Sequence, residues 1–148
     1  MNALLEKLSS YNIFNYLFPG IVFVIMAEKL TTFSFVQENI LFGLFLYYFI
    51  GLVISRIGSL VLEPILKKIK FLQFADYSDY IQASKIDKKL ELLSEINNMY
   101  RTLCTLFLIL IIINIYGEVV KLIPILNNNS IKILSLGFFI LFFFSYKE

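Results

Sequence analysis

Long apolar runs alternate with short polar breaks along this chain, except between Glu63 and Arg101, where polar residues hold for nearly forty positions. From Ser9 to Ala27 the sequence is uncharged, which is about the length needed to cross a hydrocarbon core of ~30 Å as a helix. A second run extends from Ile40 to Leu62 with Arg56 as its only charge. A third covers 102–120 and a fourth, shorter one covers 131–146. The pattern predicts an all-α integral membrane protein, a single membrane domain over residues 1–148 with four transmembrane helices. A cytoplasmic helical segment, 63–101, joins spans two and three.

Several local signals refine the boundaries. Leu4, Leu5, Leu8 and Tyr11 recur at helical spacing, so residues 2–11 suit a short amphipathic turn at the membrane surface. Pro19-Gly20 marks a helix break or kink in the first span, with Asn12 and Asn15 placed either to satisfy the carbonyl that proline frees or to hydrogen-bond to another helix. Glu63-Pro64 is expected to close the second span. The pattern Ile65, Leu66, Ile69 and Leu72 opposite Lys67, Lys68 and Lys70 predicts a basic amphipathic helix over 65–74, followed by an acidic turn at Asp76, Ser78 and Asp79. Ser84 and Asp87 resemble a capping box and start a helix that runs into the third span. Pro124 and Asn127-Asn128-Asn129-Ser130 predict a tight turn. The fourth run is short for a span, so either its helix begins before the Asn run or the polypeptide continues past Glu148.

Composition supports lipid as the solvent: 59% of the 148 residues are hydrophobic and 16% charged, well below the share of charge in a soluble domain. The opening residues, Met1–Ser10, lack a signal-peptide pattern, so the first apolar run is expected to be retained. Net charge is +2, and its distribution matters more than its sum. Seven of the thirteen basic residues lie in 63–101; with Lys7, Arg56 and Lys147 they place ten on one side of a four-span topology, against Lys29, Lys121 and Lys132 on the other. The basic side is therefore expected to face the cytoplasm, with both termini, in a bacterial inner (plasma) membrane.

The chain has no histidine and one cysteine, Cys104, which removes intrachain disulfides, the usual zinc sites and His-dependent acid–base chemistry. No catalytic, cofactor-binding or metal site is expected; Asp76 and Asp79 read as solvated carboxylates. Gly51, Ser55 and Ser59 recur every fourth residue with Gly58 beside them, a small-residue pattern that lets helix backbones approach, either within the chain or in a homo-oligomer. Arg56, close to the end of its span, either snorkels to the headgroups, which its position favours, or turns inward to pair with an acid such as Glu63. Lys67, Lys68, Lys70, Lys88 and Lys89 are the candidates for contact with an anionic leaflet or a protein partner.

Two functional classes fit: an oligomeric membrane sensor or anchor that recruits a cytosolic protein through 63–101, and a membrane-perturbing pore or toxin, suggested by Asn12, Asn15 and Asn114 within the spans. Direct nucleic-acid binding is not expected. The opening Leu4-Leu5-Glu6-Lys7-Leu8-Ser9-Ser10-Tyr11-Asn12-Ile13-Phe14-Asn15-Tyr16-Leu17-Phe18-Pro19-Gly20, with the four-span layout and central basic segment, resembles small membrane proteins of bacterial anti-phage defence loci, the membrane component of the Kiwa system among them. That resemblance implies infection sensing at the inner membrane with a soluble, nucleic-acid-associated partner. It favours the first class.

Overall fold

A computed structural model describes residues 11–31, 33–122 and 130–146, and within these the chain is helical, with no strand. Helix α1 is Ile13–Leu30, α2 is Ile40–Lys68, α3 is Tyr77–Ile86, α4 is Lys89–Leu122 and α5 is Ser130–Tyr146. Three of them, α1, α2 and α4, contain stretches long and apolar enough to cross a membrane; the apolar part of α5 is shorter, Lys132–Tyr146. The expected surface turn at 2–11, Pro124 and the Asn127–Asn129 run lie essentially outside the described residues.

Among the described residues, Pro19 and Pro64 sit inside continuous helices, so neither ends one. A proline ring cannot donate to the carbonyl four residues back and collides with it in a regular turn. Here each proline is preceded by a widened, π-helical turn: Ile13–Leu17 before Pro19, and Gly58–Leu62 before Pro64. The N–H of Phe18 donates to the Ile13 carbonyl, and that of Glu63 to the Gly58 carbonyl, each five residues back. The expectation that Glu63-Pro64 closes the second span is thus corrected, because the widened turn accommodates the ring and α2 continues to Lys68. Asn15 does not serve the carbonyl that Pro19 frees; its Nδ2 donates to the Tyr11 carbonyl at 3.2 Å.

The polar segment also differs from the sequence reading. No helix spans 65–74: α2 stops in a Schellman turn, with Lys70 in the left-handed region at φ 61°. Its N–H donates to the Lys67 carbonyl and that of Phe71 to Leu66, each at 3.0 Å, which satisfies carbonyls the helix end would otherwise leave open. Lys70 is therefore in the turn, off the helical face that Lys67 and Lys68 share. The acidic stretch expected as a turn instead opens α3 at Asp76. Ser84 is inside α3, its hydroxyl donating to the Ile81 carbonyl, and Asp87 begins α4 by accepting from the Lys89 N–H at 2.9 Å. A side chain two residues ahead caps better here than the four-residue box that the spacing suggested.

Packing centres on α1, α2 and α4. Phe23, Val24 and Ala27 of α1, Ile54 of α2, and Leu106 and Leu110 of α4 form the buried cluster. Gly20 and Gly51 meet where α1 crosses α2: a Cβ on Gly20 would overlap the Tyr47 carbonyl, and one on Gly51 would overlap the Tyr16 carbonyl, reciprocally. Backbone thus lies directly on backbone. Against α4, Gly58 faces Thr105, whose Oγ1 would lie 2.7 Å from a Cβ at that position. Thr102 and Thr105 are buried there because each hydroxyl donates to a carbonyl of its own helix, Asn98 and Arg101, at 2.8 Å. Asn114 Nδ2 donates to the Leu30 carbonyl at 2.7 Å, joining α4 to the last turn of α1. Large apolar side chains such as Ile40, Leu41, Phe45, Ile111 and Phe139 face outward, as a lipid-solvated surface requires.

Candidate functional site

Where the polar segment meets the bundle, α1, α2 and α4 separate enough to leave a cavity of about 360 Å³. It is lined by Tyr11 and Tyr16 from the first helical turns, by Ser55, Arg56, Ser59 and Glu63 along α2, and by Arg101 from α4. Every lining side chain carries a polar group, which is unusual within a bundle whose other faces are apolar.

Glu63 organises the charges. Its Oε2 accepts from Arg101 Nη1 at 2.5 Å and its Oε1 pairs with Lys67 Nζ at 2.8 Å, one turn along α2. Glu63 and Arg101 are mostly shielded, at 18% and 20% exposure, whereas Lys67 is half exposed. Lys67 also lies 4.5 Å from the centroid of the Phe74 ring, which draws the chain after α2 back against it. One carboxylate therefore serves two cations, and Arg56 adds a second guanidinium to the cavity wall. Arg101 Nε is buried without a hydrogen-bond partner, as is Asn15 Oδ1. Gly58 lets the Arg101 stem lie against α2: a Cβ there would come to 3.4 Å from its Cγ. Tyr16 is held edge-on between Tyr11 and Tyr48, with ring centroids 5.8 and 5.7 Å away.

The residues singled out by spacing divide between two places. Ser55, Arg56 and Ser59 reach the cavity, with Arg56 on its wall where the sequence favoured snorkelling. Gly51 and Gly58 are at helix contacts within the chain, and Gly20 is the partner of Gly51. Lys67 joins Glu63, while Lys68, Lys70, Lys88 and Lys89 are exposed and do not converge on the cavity. Tyr11, Tyr16 and Arg101 were not anticipated, and Glu63 only as a possible partner of Arg56. The available signal was position: Glu63 and Arg101 are the charges at the polar ends of the second and third apolar runs.

Among the described residues no group of His, Cys, Asp and Glu is placed to hold a metal ion. Comparison with known proteins finds no matching family model, no matching curated protein and no matching solved structure.

Proposed function

We propose that this protein is an inner-membrane sensor or anchor subunit, four-span and oligomeric, that recruits or regulates a cytosolic partner through residues 63–101. The resemblance to membrane components of anti-phage defence systems supplies the setting, infection sensing. One observation supports this reading above the pore-forming one: α4 is a single helix from Lys89 to Leu122, polar at its start and apolar beyond Thr102. Leu92 and Leu93 stay exposed on its polar part, beside an α3 that leaves Tyr77 and Ile86 uncovered. A helix shared between membrane and cytosol carries a displacement at one end to the other, and uncovered apolar residues on the soluble end suit a protein surface.

The test is site-specific photo-crosslinking in the native host. A crosslinker at Leu92 or Leu93 is expected to capture one soluble protein, and a crosslinker at Phe107, on the apolar part of the same helix, is not. Leu92→Lys with membrane insertion retained should remove the adduct. Capture of only a second copy of this chain from all three positions would overturn partner recruitment and move attention to conductance.

A further inference from the structure

We infer that the turn and loop after α2, residues 69–76, dock on the surface of an anionic phospholipid membrane. Ile69, Phe71 and Phe74 enter its apolar margin, and Lys68 and Lys70 lie on the headgroups. The inference rests on α1, α2 and α4 being membrane helices, and it is independent of any cytosolic partner.

Depth is the first argument. The 29 residues of α2, Ile40–Lys68, make a helix about 43 Å long. That matches a hydrocarbon core together with both headgroup layers, ~40–45 Å. With Asn39 capping α2 at one surface, Lys68 reaches the other. There the chain turns back instead of rising away: Lys70 reverses it at φ 61°, and Lys67 Nζ holds the Phe74 ring at 4.5 Å. The Glu63–Arg101 pair fixes a common level for α2 and α4. From that level Lys68 is about 7 Å along α2, whereas Lys89, where α4 begins, is about 18 Å along α4. The loop is thus closer to the bilayer than Ile86 or Lys89.

Chemistry is the second. No acid stands between Glu63 and Asp76, while Lys67, Lys68 and Lys70 do. Lys68 and Lys70 are exposed, and among the described residues neither pairs with an acid. Ile69, Phe71 and Phe74 are exposed beside them, Phe71 at 75%. They continue the outward apolar surface of α2, because Val61 and Ile65 are also exposed and precede Ile69 at one-turn spacing. Residues 72–76 are not helical, so their backbone needs water and is barred from hydrocarbon. Only the headgroup layer offers apolar rings a margin, the backbone water and the lysines negative charge.

The test uses the full chain with Cys104→Ser, reconstituted in vesicles of equal phosphatidylglycerol and phosphatidylcholine. A fluorophore is placed on Gln73→Cys in the loop, on Ile86→Cys at the end of α3, or on Phe45→Cys on the apolar part of α2. Nitroxide-bearing lipid quenches what touches the bilayer, and iodide quenches what stays in water. Lipid quenching at Gln73 is expected to exceed that at Ile86 by at least about threefold. Lys68→Gln with Lys70→Asn, asparagine being tolerant of the left-handed backbone, should lower the ratio of docked to free loop on the order of tenfold, as should phosphatidylcholine alone. Phe71→Ser should lower it in both lipids. Equal quenching at Gln73 and Ile86, with Phe45 quenched, would overturn the docking while leaving the membrane helices in place. No quenching at Phe45 would overturn the membrane reading as well. Quenching at Gln73 that ignores both lysines and lipid charge would overturn the anionic surface. A Gln73 label open to iodide until soluble host protein is added would also overturn the inference, since the patch would then belong to a protein. None of these outcomes depends on crosslinking at Leu92, so the two tests can fail separately.

Discussion

Two helix contacts in this molecule are built in opposite ways. At the α1–α2 crossing the backbones touch through Gly20 and Gly51, and each glycine accommodates a carbonyl of the other helix. At the α2–α5 contact, bulky rings keep the backbones apart: Phe49 meets Phe138 and Phe142 at centroid distances of 6.1 and 6.3 Å. The first contact depends on an absence of atoms and fails when one is added. The second depends on aromatic area and degrades gradually as area is removed. In lipid, where apolar area alone gives helices little reason to associate, close backbone approach specifies a partner better than rings do.

The largest effect should come from adding a single methyl at the crossing. Gly51→Ala places a carbon on the Tyr16 carbonyl and should cost more than about 3 kcal/mol, read as loss of cooperative thermal unfolding in detergent. An unchanged midpoint would mean that the helices are not in backbone contact. Next is the ion pair that ties α2 to α4: Glu63→Ala leaves the Arg101 guanidinium shielded without its carboxylate and should cost about 1–3 kcal/mol. Lys67→Ala, at the half-exposed partner, should stay within about 0.5 kcal/mol. Equal losses from the two would show that burial does not separate them. Phe49→Ala should cost about 1 kcal/mol and speed hydrogen exchange in α5 with α1 unaffected. Opposite in sign is Gly137→Ala in α5, where a Cβ meets nothing within 4 Å; it should raise the unfolding free energy by less than about 1 kcal/mol. Alanine at Gly51 and at Gly137 should thus have opposite effects, although both are glycines in apolar helices.

The apolar segments were legible because lipid tolerates little else: a run without charge has few other places to be, and α1, α2 and α4 fall on the first three runs. Their ends were harder. Pro64 carries a strong local signal for a boundary, yet the widened turn before it lets α2 continue, and nothing in the composition of 58–62 announces such a turn. Asp87 was placed in a capping box because Ser84 stands three residues before it, whereas the chain uses it alone. Partner choice was least legible. Spacing marked Gly51 as a close-approach position but said nothing of Gly20 as its counterpart, and Glu63 and Arg101 lie 38 residues apart. The cavity depends on that long-range pairing, so only its α2 wall, Ser55, Arg56 and Ser59, was visible beforehand.

The widened turns also act as phase correctors. Each residue of a regular α-helix advances about 100° around the axis, so Ser55 and Glu63, eight positions apart, would point about 80° away from each other. The turn at Gly58–Leu62 absorbs one extra residue, which leaves seven effective steps and an offset of about 20°, and both side chains face the same cavity. The same correction operates in α1. Tyr11 and Tyr16 would diverge by about 140° in a regular helix, yet their rings meet at 5.8 Å on the cavity wall. Deleting Leu60 to restore regular pitch would leave seven real steps from Ser55 to Glu63 and keep them facing together, whereas inserting one residue beside it would leave all seven lining residues in the chain while rotating Glu63 by about 100° away from Arg101. The cavity is thus encoded by angular timing as much as by composition, and a one-residue insertion that changes none of its lining residues would dismantle it.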